Sequence, residues 1–332
     1  MTIEQATAAL MRQADANGDG TIGLEEFLDA MTYDVNANGT KTAGFRQFIA
    51  HVATTVSPNK KEMKGAKTIC WPPPLFIILI TIAQISVYAY YANVAECSNV
   101  QECPPSFGTP LAFRMCCRHQ AWRFISYSFL HASLSHIGFN CVIQLIIGIP
   151  LEMKNGSARM FMLYLMGIIA GSMGSSVFDP DSNVVGASGA VYTVMGAWTA
   201  ELIQNWDTMQ YKWIQLLTTL TLSGLDLGSQ IYKRYSDTES TVSFAGHFVG
   251  FVAGITFGCY ILKNVESRKG ELYIRWGSIS VFVTGLFFAV FWNIFYTYDP
   301  LGLCESESTA KCNGDYLVAS STDATTGAPG SG

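Results

Sequence analysis

Polar and apolar positions divide this chain into unequal parts. Charged and polar side chains are interspersed through roughly the first seventy residues, and long uncharged runs recur after that. Each run is close to the ~20 apolar residues that a helix needs to cross a hydrocarbon core. They predict seven spans, at 74–92, 134–151, 160–178, 186–204, 212–232, 241–262 and 276–298, the fifth interrupted by Asp226. An odd number of crossings puts the two termini on opposite sides of the membrane. The expected fold class is all-α: a polytopic membrane domain over 74–298, preceded by a small helical domain at 1–56 and a linker at 57–73. The linker opens on Ser57-Pro58, which breaks a helix, and continues with Lys60, Lys61 and Lys64. The tail at 299–332 becomes small and polar from Ser320 onward, a composition that predicts partial disorder.

Composition agrees with a membrane class. At 49% hydrophobic and 14% charged over 332 residues, the chain is too apolar for a soluble two-domain protein. The net charge of -5 singles out no partner, and no basic cluster points to nucleic acid. No basic-then-apolar leader opens the sequence. Basic residues set the expected orientation, because cytosolic loops retain more lysine and arginine. With the N-terminus in the cytosol, Lys60, Lys61, Lys64, Lys67, Lys154, Arg159, Lys212, Lys263, Arg268, Lys269 and Arg275 lie inside, against Arg114, Arg118, Arg123, Lys233, Arg234 and Lys311 outside. That places Cys97, Cys103, Cys116 and Cys117 in the first outer loop and Cys304 and Cys312 in the outer tail, where disulfides persist. Their pairing is open. Cys70, Cys141 and Cys259 are expected to be free thiols. The localisation implied is the secretory pathway or plasma membrane.

The N-terminal domain carries a calcium-loop pattern. In Asp15-Ala16-Asn17-Gly18-Asp19-Gly20-Thr21-Ile22-Gly23-Leu24-Glu25-Glu26, oxygen-bearing side chains stand at loop positions one, three, five and twelve, glycine at six and isoleucine at eight. This is an EF-hand spacing. Asp15, Asn17 and Asp19 converge on the hard Ca2+ ion, Thr21 offers its backbone carbonyl, and Glu26 closes the shell with both oxygens. A second stretch at 34–40 begins alike, but Lys41 and Phe45 stand where an apolar residue and the closing glutamate belong. It reads as a turn. Phe45, Phe48, Ile49 and Val52 follow at helical spacing and are expected to cover the apolar face of the single hand.

Polar side chains inside the spans need a separate account, since in hydrocarbon they face a protein interior or a water-filled cavity. His136, Asn140, Ser188, Tyr192 and His247 form such a set. In Gly186-Ala187-Ser188-Gly189 the serine hydroxyl stands on a backbone that a substrate can approach closely. Ser188 and His247 fall at similar depth in the outer halves of their spans. Gly250 and Gly254, facing Gly189 and Gly196, would let the two helices approach closely enough for a serine–histidine hydrogen bond. His136 and Asn140, four apart, share a helix face, as do Ser188 and Tyr192. Such a serine, activated by a neighbouring base, is a nucleophile.

Taken with Trp122-Arg123 in the first outer loop, these separated motifs over about 74–298 resemble the rhomboid intramembrane serine proteases. A seventh span and a preceding EF-hand resemble the animal rhomboid-related branch. The resemblance implies a six-helix core plus a C-terminal seventh helix, and a catalytic dyad without an acidic third member. Ser188 is then the nucleophile and His247 the general base. Asn140, His136 and the Ser188 N–H are oxyanion donors, Gly186 supports them, and Tyr192 stacks on His247. Implied substrates are single-span membrane proteins cut near the outer end of their spans in the lipid bilayer. Catalysis needs no cofactor, and Ca2+ on Asp15, Asn17, Asp19, Thr21 and Glu26 is structural or regulatory. The alternative is an inactive rhomboid-like protein that binds membrane clients. A seven-span receptor or channel would explain the span count but not the serine, amide and histidines. Asp226 is expected to pack against a helix end or water at least as readily as to function. Ser172, Ser175 and Ser176 either hold hydrolytic water or permit close helix packing. His131 is assigned no role, and Trp122-Arg123 is expected to brace the loop.

Overall fold

The computed structural model describes residues 34–35, 41–42, 74–94, 109–180, 184–207, 209, 211–236, 243–264 and 270–296. The calcium-loop residues Asp15, Asn17, Asp19, Thr21 and Glu26, the stretch from Phe45 to Val52, and Cys70, Cys97, Cys103, Cys304 and Cys312 lie outside the described residues. The chain divides into two compact units, Met1–Ile69 and Cys70–Gly332. In the first, strand β1 (Asp34–Val35) pairs antiparallel with β2 (Lys41–Thr42), Asp34 opposite Thr42 and Val35 opposite Lys41. The chain thus reverses where the sequence reads as a turn.

Among the described residues, the second unit contains seven long helices: α1 (Leu75–Val94), α2 (Leu134–Asn155), α3 (Ser157–Phe178), α4 (Ser188–Gln204), α5 (Lys212–Ser236), α6 (Phe244–Ile261) and α7 (Glu271–Phe295). Charged residues delimited the expected spans, yet helices run through them. α2 continues past Pro150 to Asn155, and the single residue Gly156, at φ 88°, reverses the chain into α3. Only glycine adopts that backbone without cost. Lys154 at this end pairs with Glu201 of α4, so its charge is neutralised inside the fold.

Among the described residues, five helices, α1, α2, α3, α6 and α7, are long and apolar enough to cross a membrane. The other two depart from that pattern for different reasons. α4 has 17 residues, buried at nearly every position, and faces protein rather than lipid. It can therefore hold Ser188, Thr193 and Glu201. α5 is the least apolar, with Asp226 among serines, threonines and glutamines.

Small residues set the spacing around α4. A Cβ on Gly196 would lie 2.1 Å from the Phe251 carbonyl, on Gly254 2.1 Å from the Thr193 carbonyl, and on Gly250 2.4 Å from the Gly189 carbonyl. The backbones of α4 and α6 are in contact there, and Thr193 donates across the gap to the Gly250 carbonyl at 2.7 Å. Gly171 and Gly174 of α3 likewise face Gly189 and Val249. Without a water-driven hydrophobic force between helices, such close packing and interhelical hydrogen bonds hold a bundle together. α1 is joined by a closed polar network: Gln144 donates to Thr81 at 2.6 Å and to Gln84 at 3.0 Å, Gln84 donates to Tyr164 at 2.9 Å, and Tyr164 donates back to Gln144 at 3.0 Å. Each amide would cost several kcal/mol unpaired in hydrocarbon. Glu152 caps α1 by accepting from the N–H groups of Phe76 and Ile77, both at 2.8 Å.

Candidate active site

The segment leading into α4 is held from three sides. Phe113 and Val184 exchange backbone hydrogen bonds at 3.1 and 3.0 Å, Gly186 N–H donates to the Tyr127 carbonyl at 3.0 Å, and Ala187 N–H donates to Nε2 of His131 at 3.3 Å. The loop supplying these contacts is built on Arg123, whose buried guanidinium donates to the carbonyls of Thr109 and Ala112 and to Gln120. Trp122 adds an indole N–H to the Pro110 carbonyl at 3.2 Å. The Trp122-Arg123 pair braces the loop as expected. Cys116 and Cys117 in this loop are disulfide-bonded, whereas Cys141 and Cys259 are free and buried.

Ser188 is the first residue of α4, and its Oγ lies 2.7 Å from Nε2 of His247 on α6. Both side chains are buried. Tyr192, one turn along from Ser188, stacks on the His247 ring with centroids 4.6 Å apart and planes 14° from parallel. On α2, His136 presses against Gly186: a Cβ there would be 2.6 Å from its Cε1, and the backbone sits at φ 120°. Glycine is required at 186 on both counts. Asn140 lies one turn further along α2. Its Nδ2 is buried with no hydrogen-bond partner among the described residues. Buried amides are almost always satisfied, so this orphaned donor calls for an explanation. The structure brings together Ser188, His247, Tyr192, Gly186 and His136, and leaves the Asn140 donor open.

Comparison with known proteins identifies the architecture. A rhomboid domain matches residues 118–264. The chain is 31% identical to Rhomboid-related protein 3 of Homo sapiens over 323 residues, spanning 89% of this chain and 80% of that one. The chain belongs to the rhomboid family. It is also similar to Rhomboid-related protein 2 of Mus musculus, 38% identical over 237 residues, covering 68% and 76% of the two chains. To Rhomboid-related protein 1 of Caenorhabditis elegans it is 36% identical over 231 residues, covering 66% and 63%. This rhomboid is a multi-pass membrane protein.

Two residues of this rhomboid acquire places that sequence reasoning did not assign. His131 is fully buried, with its ring edge-to-face against His136 at 5.3 Å. Burial foremost, and His136 beside it, pull its pKa down to about 3, the backbone of Phe129 opposing in part. It is therefore neutral, and accepting from Ala187 N–H at Nε2 leaves its hydrogen on Nδ1. Its sole sequence signal is a position just ahead of Ser133, which caps α2 by accepting from His136 N–H at 3.2 Å. Asp226 of α5 is the second: its Oδ2 accepts from Tyr192 OH at 2.6 Å and lies 3.6 Å from Nδ1 of His247. It packs neither against a helix end nor away from the site.

The serines of α3 are spent on structure. Ser172 bonds the Phe124 and Ile168 carbonyls, Ser175 bonds the Gly171 carbonyl, and Ser176 bonds the Met173 carbonyl and accepts from Asn293 of α7. A Cβ on Gly246 would strike Ser175 Oγ at 2.6 Å. Close helix packing is the reading these contacts support.

Proposed function

We propose that this rhomboid is an intramembrane serine endopeptidase acting on single-span membrane proteins. The observation that carries the reading is the 2.7 Å contact between Ser188 Oγ and His247 Nε2, buried inside a membrane domain. Neutral His247 with its hydrogen on Nδ1 accepts the Ser188 proton as Oγ attacks the scissile carbonyl. Charge develops on the carbonyl oxygen, and we assign as the donors that meet it the amide of Asn140, whose Nδ2 is open, the His136 ring and the Ser188 N–H at the start of α4. Collapse of the tetrahedral species expels the amine, which takes the proton from His247. Water then attacks the acyl-Ser188 with His247 again as base, releasing the acid and restoring the serine. Tyr192 keeps the imidazole in plane for both halves.

A spanning helix has its amides and carbonyls already paired, so the scissile segment must unwind before it can be cut. Helix-weakening residues such as glycine, serine or proline in the outer part of the substrate span meet that need. Orientation follows the lysine and arginine bias: N-terminus in the cytosol, C-terminus outside or luminal. The sequons at Asn38 and Asn155 test it, since both lie inside on this orientation: a glycan on either in cells would show the orientation to be reversed. Calcium on the motif from Asp15 to Glu26 modulates cleavage from the cytosol. Raising and chelating calcium with the parent and an Asp15→Ala/Glu26→Ala variant tests that part, equal rates in all four conditions refuting it.

The deciding experiment is release of a substrate ectodomain in cells or proteoliposomes. Ser188→Ala and His247→Ala should each abolish it, and a fluorophosphonate should label the parent but not Ser188→Ala. Undiminished release by Ser188→Ala would overturn the reading in favour of a client-binding protein without protease chemistry.

A further inference from the structure

We propose that the groove between α3, α6 and α7 binds one acyl chain of a phospholipid, drawn from the leaflet that holds Ser188, and that this chain ties α7 to the rest of the fold. The groove is an apolar cavity of about 200 Å³. Ala170 to Phe178 of α3 supply one wall, Val249 to Thr256 of α6 the second, and Val281 to Ala289 of α7 the third. The C-terminal ends of α3 and α7 lie on the same side as the N-terminal ends of α4 and α6. Asn293 donates to Ser176 at 2.7 Å there, Gly246 packs on Gly171, and Gly250 packs on Gly189. Phe178, Val252, Val281 and Phe288 line the groove and are also exposed. Exposed apolar side chains on helices that cross a membrane meet lipid, so the groove continues the protein–lipid interface inward.

Lining and depth select the occupant. A buried water needs about two to four polar partners. Thr256 has the one hydroxyl among the lining side chains, and it already donates to the Val252 carbonyl at 2.8 Å, while the Met173 sulfur accepts from Asn293 at 3.4 Å. Nothing there holds water, whereas apolar cavities of about 150 Å³ stay dry and take up hydrocarbon such as benzene. Along α3 the lining runs from Ala170 to the helix end at Phe178, about 12 Å at 1.5 Å per residue. One leaflet of the hydrocarbon core is about 15 Å deep, so a chain entering at that end fills the groove without crossing the midplane. A transmembrane helix, about 10 Å across and about 30 Å long, is too large for this volume. Next to the Asn293 contact, the chain bridges α7 to α3 and α6 where the helices themselves leave space. It also covers Val249 and Ala253, on the side of α6 turned away from Gly250 and Gly254, which contact α4.

The test reconstitutes full-length protein in vesicles of palmitoyl-oleoyl phosphatidylcholine containing some of the same lipid with a diazirine on one acyl chain. Photo-crosslinks are mapped, and the protein is then exchanged into detergent and weighed by native mass spectrometry. Gly285→Phe fills the groove from α7, since a Cβ there meets nothing within 4 Å. Gly277→Phe makes the same change on the same helix, again with nothing within 4 Å of the Cβ, but outside the lining. The parent and Gly277→Phe should each retain one phosphatidylcholine per chain, with crosslinks concentrated on the groove walls, and Gly285→Phe should lose both. Lipid returned to delipidated protein should raise the melting temperature of the first two and leave Gly285→Phe unmoved, because only a ligand of the folded state stabilises it. Equal retention by all three proteins would overturn the proposal. So would a species of twice the chain mass that Gly285→Phe abolishes in place of lipid, which would put a second copy in the groove. Should Gly285→Phe not fold, the parent decides alone. Crosslinks no denser on the groove walls than at exposed Phe287, Phe291 and Phe295 would then refute the site.

Discussion

Gly250→Ala tests whether helix spacing, rather than the mere presence of the two reacting side chains, sets the activity. The added methyl would lie 2.4 Å from the Gly189 carbonyl oxygen, and ordinary contact begins at 3.4 Å, so α4 and α6 must separate locally by about 1 Å. Gly189 adjoins Ser188 and Gly250 is one turn from His247. If the shift falls along their axis, the 2.7 Å hydrogen bond opens to about 3.7 Å, beyond hydrogen-bonding range. A 1 Å misplacement of reacting groups costs on the order of 10² in rate, and the overpacking costs about 1–3 kcal/mol in stability. Ectodomain release in proteoliposomes measures the first and thermal unfolding in detergent the second. Gly277→Ala on α7, where a Cβ meets nothing within 4 Å, is the control and should match the parent in both. A Gly250→Ala protein that cleaves at the parental rate would show that the interface relaxes elsewhere, and the spacing argument would fail.

Other expectations follow from the same contacts. Asn140→Ala removes an open donor and should lower kcat by about 10²–10³-fold with little change in KM, measured by steady-state kinetics; a pure KM effect would place Asn140 in substrate binding instead. Arg123→Met leaves the carbonyls of Thr109 and Ala112 and the Gln120 side chain without their buried donor, and should destabilise the fold in a thermal melt, each acceptor left unpaired costing about 1–3 kcal/mol. His131 gives a pH signature. Its pKa falls from 6.5 unfolded to about 3 folded, so below 6.5 the unfolded state binds the extra proton and stability drops as pH falls toward 3. The loss reaches about 2 kcal/mol at pH 5. Relative to the parent, His131→Gln should show a flatter decline in melting temperature between pH 7 and pH 5, and parallel curves would contradict the assignment.

Much of the membrane architecture was legible along the chain because hydrocarbon imposes a one-dimensional rule: a run of uncharged residues long enough to cross must be a helix. The helix centres follow from it, as does the suspicion attached to Ser188, His247, His136 and Asn140, since a polar side chain in such a run needs a reason. Helix ends did not follow. Charges mark where lipid stops, whereas α2 ends and α3 begins where Gly156 turns the chain, and α4 is buried along nearly all its length. Pairing across the fold was also beyond the sequence. Gly250 and Gly189 are compatible with close approach, but that Ser188 then meets Nε2 at 2.7 Å is decided by how α4 and α6 pack. His131 and Asp226 show the limit most plainly. One is a loop histidine and the other a lone acid in the least apolar helix, and nothing in their local sequence distinguishes them from solvated residues. Their roles come from neighbours 56 and 34 positions away, Ala187 and Tyr192, because hydrogen-bond geometry depends on distance in space.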